Sequence, residues 1–176
     1  MKTLILTSLF LILTVSANAQ SVKHILKDIS VLTGKEDVSR YYKTSVAIKK
    51  YTTMYGIDYR VLLGLIMTES SFNQGAVSPT QDFGIGQINY KVWQKEFIRL
   101  NKEPLDLKRL KTDVDYAVRR TVEILALLKK NKDPYWVGRY HSKTPRLKKA
   151  YFAKIQHQVL KLEYSSKNIV TIASNK

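Results

Sequence analysis

Cysteine is absent from this 176-residue chain, which excludes a disulfide framework, a thiolate metal site, a catalytic thiol and a lipid-bearing cysteine. Glycine and proline are scarce, at 7 and 4 residues. No alternating apolar–polar pattern runs beyond a few positions, so a mainly helical chain is expected. Acidic residues are also few: 14 Asp and Glu stand against 30 Lys and Arg, a formal charge of +16. Such an imbalance points to a polyanionic partner or surface. For a cytosolic protein that suggests nucleic acid, and for an exported one anionic headgroups or the peptide carboxylates of a cell wall. Any single lysine is better explained as solvating a helix face. Beyond the N-terminus, no stretch approaches the roughly 20 apolar residues that a membrane span needs.

The N-terminus has the order of an export signal. Lys2 supplies a positive start, Leu4 to Val15 form an apolar run, and Ala17-Asn18-Ala19 is a small-x-small cleavage pattern. Residues 1–19 are therefore expected to be a removable signal, with Gln20 as the mature start and the periplasm as destination. An uncleaved anchor is the competing reading, but the apolar run is short and a cleavage site follows it directly. The length suits one domain, and a hydrophobic fraction of 44% is enough for a core. The expected organisation is a polar lead over 20–37, a single domain over 38–164 and a frayed tail over 165–176.

Within the domain, a helix is expected from Ser39 to Tyr55, ended by Gly56. Tyr41, Ile48, Tyr51 and Tyr55 would share one face of it, and Tyr42, Val46, Lys49 and Thr53 another. Asp58 stands where a helix cap belongs, ahead of Tyr59-Arg60-Val61-Leu62-Leu63-Gly64-Leu65-Ile66-Met67-Thr68-Glu69. That helix is apolar nearly all round, which suits the centre of the domain. The run from Asn73 to Asn89 breaks into Gly, Ser, Pro and Asp and reads as an irregular or short-strand segment. Helices are then expected over Tyr90 to Leu100 with Asn89 as cap, from Thr112 to Lys130, and from Pro145 to Tyr164, with a helical turn from Asp133 to His141.

Glu69 at the end of the buried helix is the feature that demands explanation. Burial raises a carboxyl's proton affinity, and a glutamic acid protonated near neutrality can donate to a glycosidic oxygen. A helix-end glutamate turned to solvent, or bonded to nearby backbone, is the plainer alternative. Ser78 and Gln87 offer neutral hydrogen-bonding groups, with a turn serine and a loop-bonded glutamine as the plain readings. Tyr140 can bond the Glu69 carboxyl or be a core tyrosine. Asp82 is the other acidic residue of this segment, either a turn former or a second catalytic carboxylate. His24, His141 and His157 show no metal-ligand spacing.

Glu69-Ser70-Ser71-Phe72, Ala76-Val77-Ser78 and Gly84-Ile85-Gly86-Gln87-Ile88-Asn89 follow one another in register, and Trp136-Val137-Gly138-Arg139-Tyr140-His141 comes later. These blocks resemble the signature of the soluble-type (SLT) lytic transglycosylases, over roughly Ile48 to Tyr151. The resemblance implies a mainly α, lysozyme-like (α+β) fold, with a short irregular or β segment after the catalytic helix. It also implies Glu69 as the single catalytic acid and base, Ser78, Gln87 and Asn89 lining the sugar cleft, and Tyr140 supporting Glu69. Three positions depart from the pattern. Gly86 replaces the usual Met, which implies a more permissive backbone; Asn89 stands where some members are apolar; and His141 replaces an Asn.

With one carboxylate, the implied reaction cleaves the β-1,4 bond between N-acetylmuramic acid and N-acetylglucosamine and closes a 1,6-anhydro ring, with no cofactor and no metal. The implied partner is the peptidoglycan glycan strand, and the enzyme is expected to act as a monomer without stable membrane insertion and without nucleic acid. Small members of this kind also accompany type IV or type III secretion and conjugation machines. The alternatives are a hydrolytic muramidase with Asp82 holding the attacking water, a non-catalytic peptidoglycan-binding module, and a basic membrane- or nucleic-acid-binding protein.

Overall fold

The order of elements follows from where the chain places its caps and apolar stripes. A computed structural model describes residues 22–174, with side chains to Ser166. The expected signal over 1–19 lies outside the described residues. The first described element is a helix, α1, over 22–33. After a 3₁₀ turn at Ser39–Tyr41 come α2 (Tyr42–Tyr55) and α3 (Tyr59–Ser70). A two-stranded antiparallel sheet follows, β1 (Asp82–Phe83) with β2 (Ile88–Asn89), in the register Asp82 opposite Asn89 and Phe83 opposite Ile88. The chain continues through α4 (Tyr90–Arg99), α5 (Leu107–Thr112), α6 (Val114–Lys129), a second 3₁₀ turn (Trp136–Tyr140) and α7 (Pro145–Ser174).

The caps expected at Asp58 and Asn89 are in place, and α6 begins at Val114, capped by Asp113, rather than at Thr112. Asp58 accepts from the Arg60 N–H at the start of α3, Asn89 from Val92 at α4, and Asp113 from Tyr116 at α6. Gly56 ends α2 in the left-handed region at φ 62°. On α2 the face carrying Ile48 and Tyr51 is buried, while Tyr42 and Val46 are exposed.

Three expectations are corrected at the chain's ends and middle. The lead over 20–37 is largely helical where described, because Ile25, Ile29 and Leu32 recur at helical spacing and are buried in the main core. The tail does not fray at 165, since α7 continues to Ser174. A short helix, α5, stands in a stretch for which no element is expected, capped by Asp106 and anchored by the fully buried Leu110.

The centre of the molecule is α3, whose Leu62, Leu63, Leu65 and Ile66 are fully buried. Each such side chain contributes up to about 1.5–3 kcal/mol on burial, so the helix cannot slide without large cost. Gly64 lets α7 approach closely: a Cβ there would stand 3.2 Å from Gln158 Cβ and from the Ile155 carbonyl oxygen. A second apolar cluster, with Ile88, Phe97, Leu110, Tyr116 and Ile124, fills the space beneath the strands and α4. Beside it α6 buries a charged pair, with Arg120 Nη1 donating to Glu123 Oε2 at 2.8 Å and the Tyr55 hydroxyl to Glu123 Oε1 at 2.8 Å.

Candidate active site

Glu69 occupies the last turn of α3 and is half-buried. Its carboxyl is pushed up to about 7 from an ordinary value of 4.5, above all by loss of solvent. The Tyr151 hydroxyl opposes that rise by donating to Glu69 Oε1, the negative charge of Asp82 adds to it, and Lys154 opposes it. Near neutrality the group is therefore divided between its acid and base forms.

Tyr151, on α7, is the phenol that reaches Glu69, and Tyr140 is not. Tyr140 turns its hydroxyl to the Gly86 carbonyl oxygen, 2.7 Å away, so the expected Tyr140–Glu69 bond is corrected. The reason lies in the second 3₁₀ turn. It points Tyr140 under the loop that joins the strands, beside Thr121 of α6, whereas the α3–α7 packing carries Tyr151 to the acid. Burial, followed by the nearby Glu69 charge, holds both phenols in the protonated state.

Ser78, Asn89 and Asp82 form one cluster. Asp82 Oδ2 accepts from Ser78 Oγ at 3.0 Å and Thr80 Oγ1 at 2.7 Å, and Oδ1 accepts from Asn89 Nδ2 at 2.7 Å. Asp82 is thus held by side chains rather than, as a turn former would be, by backbone N–H groups. Asn89 serves twice, since its Oδ1 also caps α4 by accepting from Val92 N at 3.0 Å. Gln87, at φ 46°, directs its amide nitrogen to the carbonyl oxygens of Ala76 (3.0 Å) and Gly84 (2.9 Å). That leaves the amide oxygen as its remaining hydrogen-bonding group. The Ser70 hydroxyl donates to the Ile85 carbonyl at 2.7 Å and ties the end of α3 to this same loop.

Gly86 is not the permissive position expected of it. A Cβ there would come within 2.1 Å of Thr121 Oγ1, so α6 fills the space that a side chain would need. Thr121, Tyr151 and Lys154 had no signal in the ordered motifs. Tyr151 was legible in another way: it lies on the buried stripe Tyr151, Ile155, Val159, Leu162, and a phenol on such a stripe needs a partner for its hydroxyl.

A groove of about 400 Å³ opens between α3 and α7, lined by Thr68, Ala150, Ala153, Lys154, His157 and Gln158. Neither this groove nor the roomier ones of about 590 and 630 Å³ is lined by Glu69, so chemistry rather than cavity size locates the site. Among the described residues, no group of three or more His, Cys, Asp or Glu is placed to hold a metal ion. No helix among them is long and apolar enough to cross a membrane.

The family model of the transglycosylase SLT domain matches residues 46–137, just over half of the chain. The chain belongs to the transglycosylase SLT family. No curated protein and no solved structure matches it. The helical architecture with its two-stranded sheet is the mainly α, lysozyme-like fold of SLT domains, and the family's activity is directed at peptidoglycan. The matched segment contains Glu69, Ser78, Asp82, Gln87 and Asn89, and it ends before Tyr140 and Tyr151. The SLT domain thus brings the candidate acid and the sheet together, while the phenol on that acid comes from the helix that follows.

Proposed function

We propose that the protein is a lytic transglycosylase in which Glu69 is first the general acid and then the general base. The observation that carries this reading is the Glu69 carboxyl itself, half-buried at the end of a fixed helix and pushed up to about 7. In its acid form Glu69 donates a proton to the oxygen joining N-acetylmuramic acid to N-acetylglucosamine. The C1–O bond breaks, and the carbonyl oxygen of the muramoyl acetamido group shares electrons with C1. The ionised Glu69, steadied by the Tyr151 hydroxyl, then takes the proton from the muramoyl C6 hydroxyl as O6 attacks C1. A 1,6-anhydro ring closes, the acetamido group is released and Glu69 regains its proton, with no water consumed. Each assisted proton transfer contributes about 10²–10⁴-fold in rate.

Asp82 favours this course over hydrolysis. Of the roughly four acceptor positions of a carboxylate, three are taken by Ser78, Thr80 and Asn89, which leaves little capacity for holding an attacking water. Its charge instead raises the proton affinity of Glu69. Gln87, through its free amide oxygen, and Ser78 are proposed to face the sugars. Asn89 is proposed to act through Asp82, and Tyr140 through the Gly86 loop.

The export signal read over residues 1–19 supports a periplasmic site of action, where the charge of +15 that remains once Lys2 leaves with the signal (+16 less 1) suits the acidic peptides of the wall. A role in opening the wall for an envelope-spanning secretion or conjugation apparatus rests on the likeness to small members of the family. The test is digestion of purified sacculi by the mature protein and by Glu69→Gln, with mass analysis of the products. Anhydro-ended muropeptides from the wild type alone are expected; equal activity in both proteins would end the reading.

A further inference from the structure

The residue after Tyr140 is a histidine, and its ring lies on the phenol that reaches the acid. The His141 and Tyr151 rings have centroids 5.0 Å apart and planes 7° from parallel. Tyr151 is 5% exposed, whereas His141 is exposed, so His141 does not occupy this place to bury its own surface. We propose that His141 is a positioning residue for the acid: its flat face, held against the Tyr151 ring, fixes the aim of the phenol hydroxyl at Glu69 Oε1. This inference rests on the reading of Glu69 as the acid and assigns a role to a residue outside the matched segment.

The torsion that turns a tyrosine ring is broad, so the direction of its hydroxyl is set by what covers its faces. The core covers Tyr151 from within, and His141 covers it from the solvent side. His141 is itself placed by the second 3₁₀ turn, through its N–H to the Gly138 carbonyl at 3.3 Å. That turn is locked onto α7 at two points. A Cβ on Gly138 would come within 2.2 Å of the Lys148 carbonyl oxygen, and Tyr135 packs edge-on to Phe152 with centroids 5.2 Å apart. Lys148 and Phe152 flank Tyr151 on the same helix, so histidine and tyrosine share one rigid frame. An asparagine at position 141 has no ring to lay on that face.

The groups that face Glu69 are Tyr151 and Lys154 from α7, Asp82 from β1 and the Tyr140 phenol from the 3₁₀ turn. Of these, Tyr151 is the one that His141 touches. The test is therefore the titration of Glu69, followed by NMR in carbon-13 glutamate-labelled protein and assigned by the resonance lost in Glu69→Gln. His141→Ala is expected to raise the Glu69 midpoint by about half a pH unit, the direction expected when a hydrogen bond to the ionised form weakens. In a Tyr151→Phe background the same substitution should add nothing. His141→Phe, which restores a flat face, should return the midpoint to the wild-type value, and His141→Asn should not.

Turnover of a soluble glycan substrate by His141→Ala should fall about threefold with KM unchanged. The proposal is overturned if His141→Ala leaves the midpoint in place or lowers it. An equal shift with and without Tyr151, or failure of His141→Phe to restore the midpoint, overturns it as well. Because the titration needs no substrate, a midpoint that responds as expected in a protein that leaves sacculi intact would refute the transglycosylase reading and not this one.

Discussion

Replacing Glu69 by glutamine should stabilise the protein, and the gain should appear only where a free carboxyl would be ionised. In the unfolded chain Glu69 titrates near 4.5, and in the folded protein near 7. The folded state thus holds the proton more tightly. Below pH 4.5 the group is protonated in both states and carries no penalty. As pH rises from 4.5 through 7, stability is lost progressively, and above 7 the loss levels off. A gap of about 2.5 pH units, at about 1.4 kcal/mol per unit, makes that loss about 3 kcal/mol as an upper figure. Glutamine has the same shape, has no charge to desolvate, and keeps an oxygen that can accept from Tyr151. Urea denaturation of both proteins from pH 4 to pH 8.5 measures the difference. At pH 8 the variant should also melt about 6–10 °C higher, given the size of the domain. An equal gap at pH 4.5 and pH 8, or a less stable variant at pH 8, would refute the burial argument for Glu69.

Other expectations concern the groups around the acid. Tyr151→Phe removes the bond that opposes the rise in Glu69, so the basic limb of the pH–rate profile should move upward by about one pH unit; Asp82→Asn removes a charge that contributes to the rise and should move the limb downward. Movement of both limbs in one direction would contradict the assignment. Gly86→Ala places a methyl group where Thr121 already stands and should cost about 1–3 kcal/mol in urea denaturation, with activity falling as the carbonyl that holds Tyr140 shifts. Glu123→Leu removes the buried one of the two carboxylates paired with Arg120 and leaves only the exposed Glu103; it should cost about 3–5 kcal/mol, read as a lowered melting temperature with the Glu69 titration unchanged.

What the sequence disclosed was the part encoded locally. Asp58 and Asn89 announce helices because a cap acts within three residues, and the apolar run after Asp58 places Glu69 at the end of a buried helix. The segment from Glu69 to Asn89 is legible as a unit because its bonds, such as Ser78 to Asp82 and Gln87 to Ala76, close over short distances. Tyr151 escaped because it lies 82 residues from Glu69, and the pairing depends on how closely α7 crosses α3 at Gly64. Tyr140 was given the wrong partner for the same reason: its direction is set by a 3₁₀ turn packed on α7, not by its neighbours in the chain. The helix over 22–33 was obscured by its lysines, although Ile25, Ile29 and Leu32 carried the helical period. At Gly86 the absence of a side chain suggested freedom, and only the position of Thr121 on α6 shows that the space is filled.

The central claim is that one carboxyl serves as acid and then base, with the C6 hydroxyl of the sugar taking the place of water. Digestion of sacculi in water enriched in oxygen-18, with mass analysis of the released muropeptides and Glu69→Gln as control, tests it directly. The account predicts anhydro-ended products without the heavy isotope, formed by the wild type and not by the variant. Reducing-end products carrying oxygen-18 would show that water attacks the sugar and would contradict it.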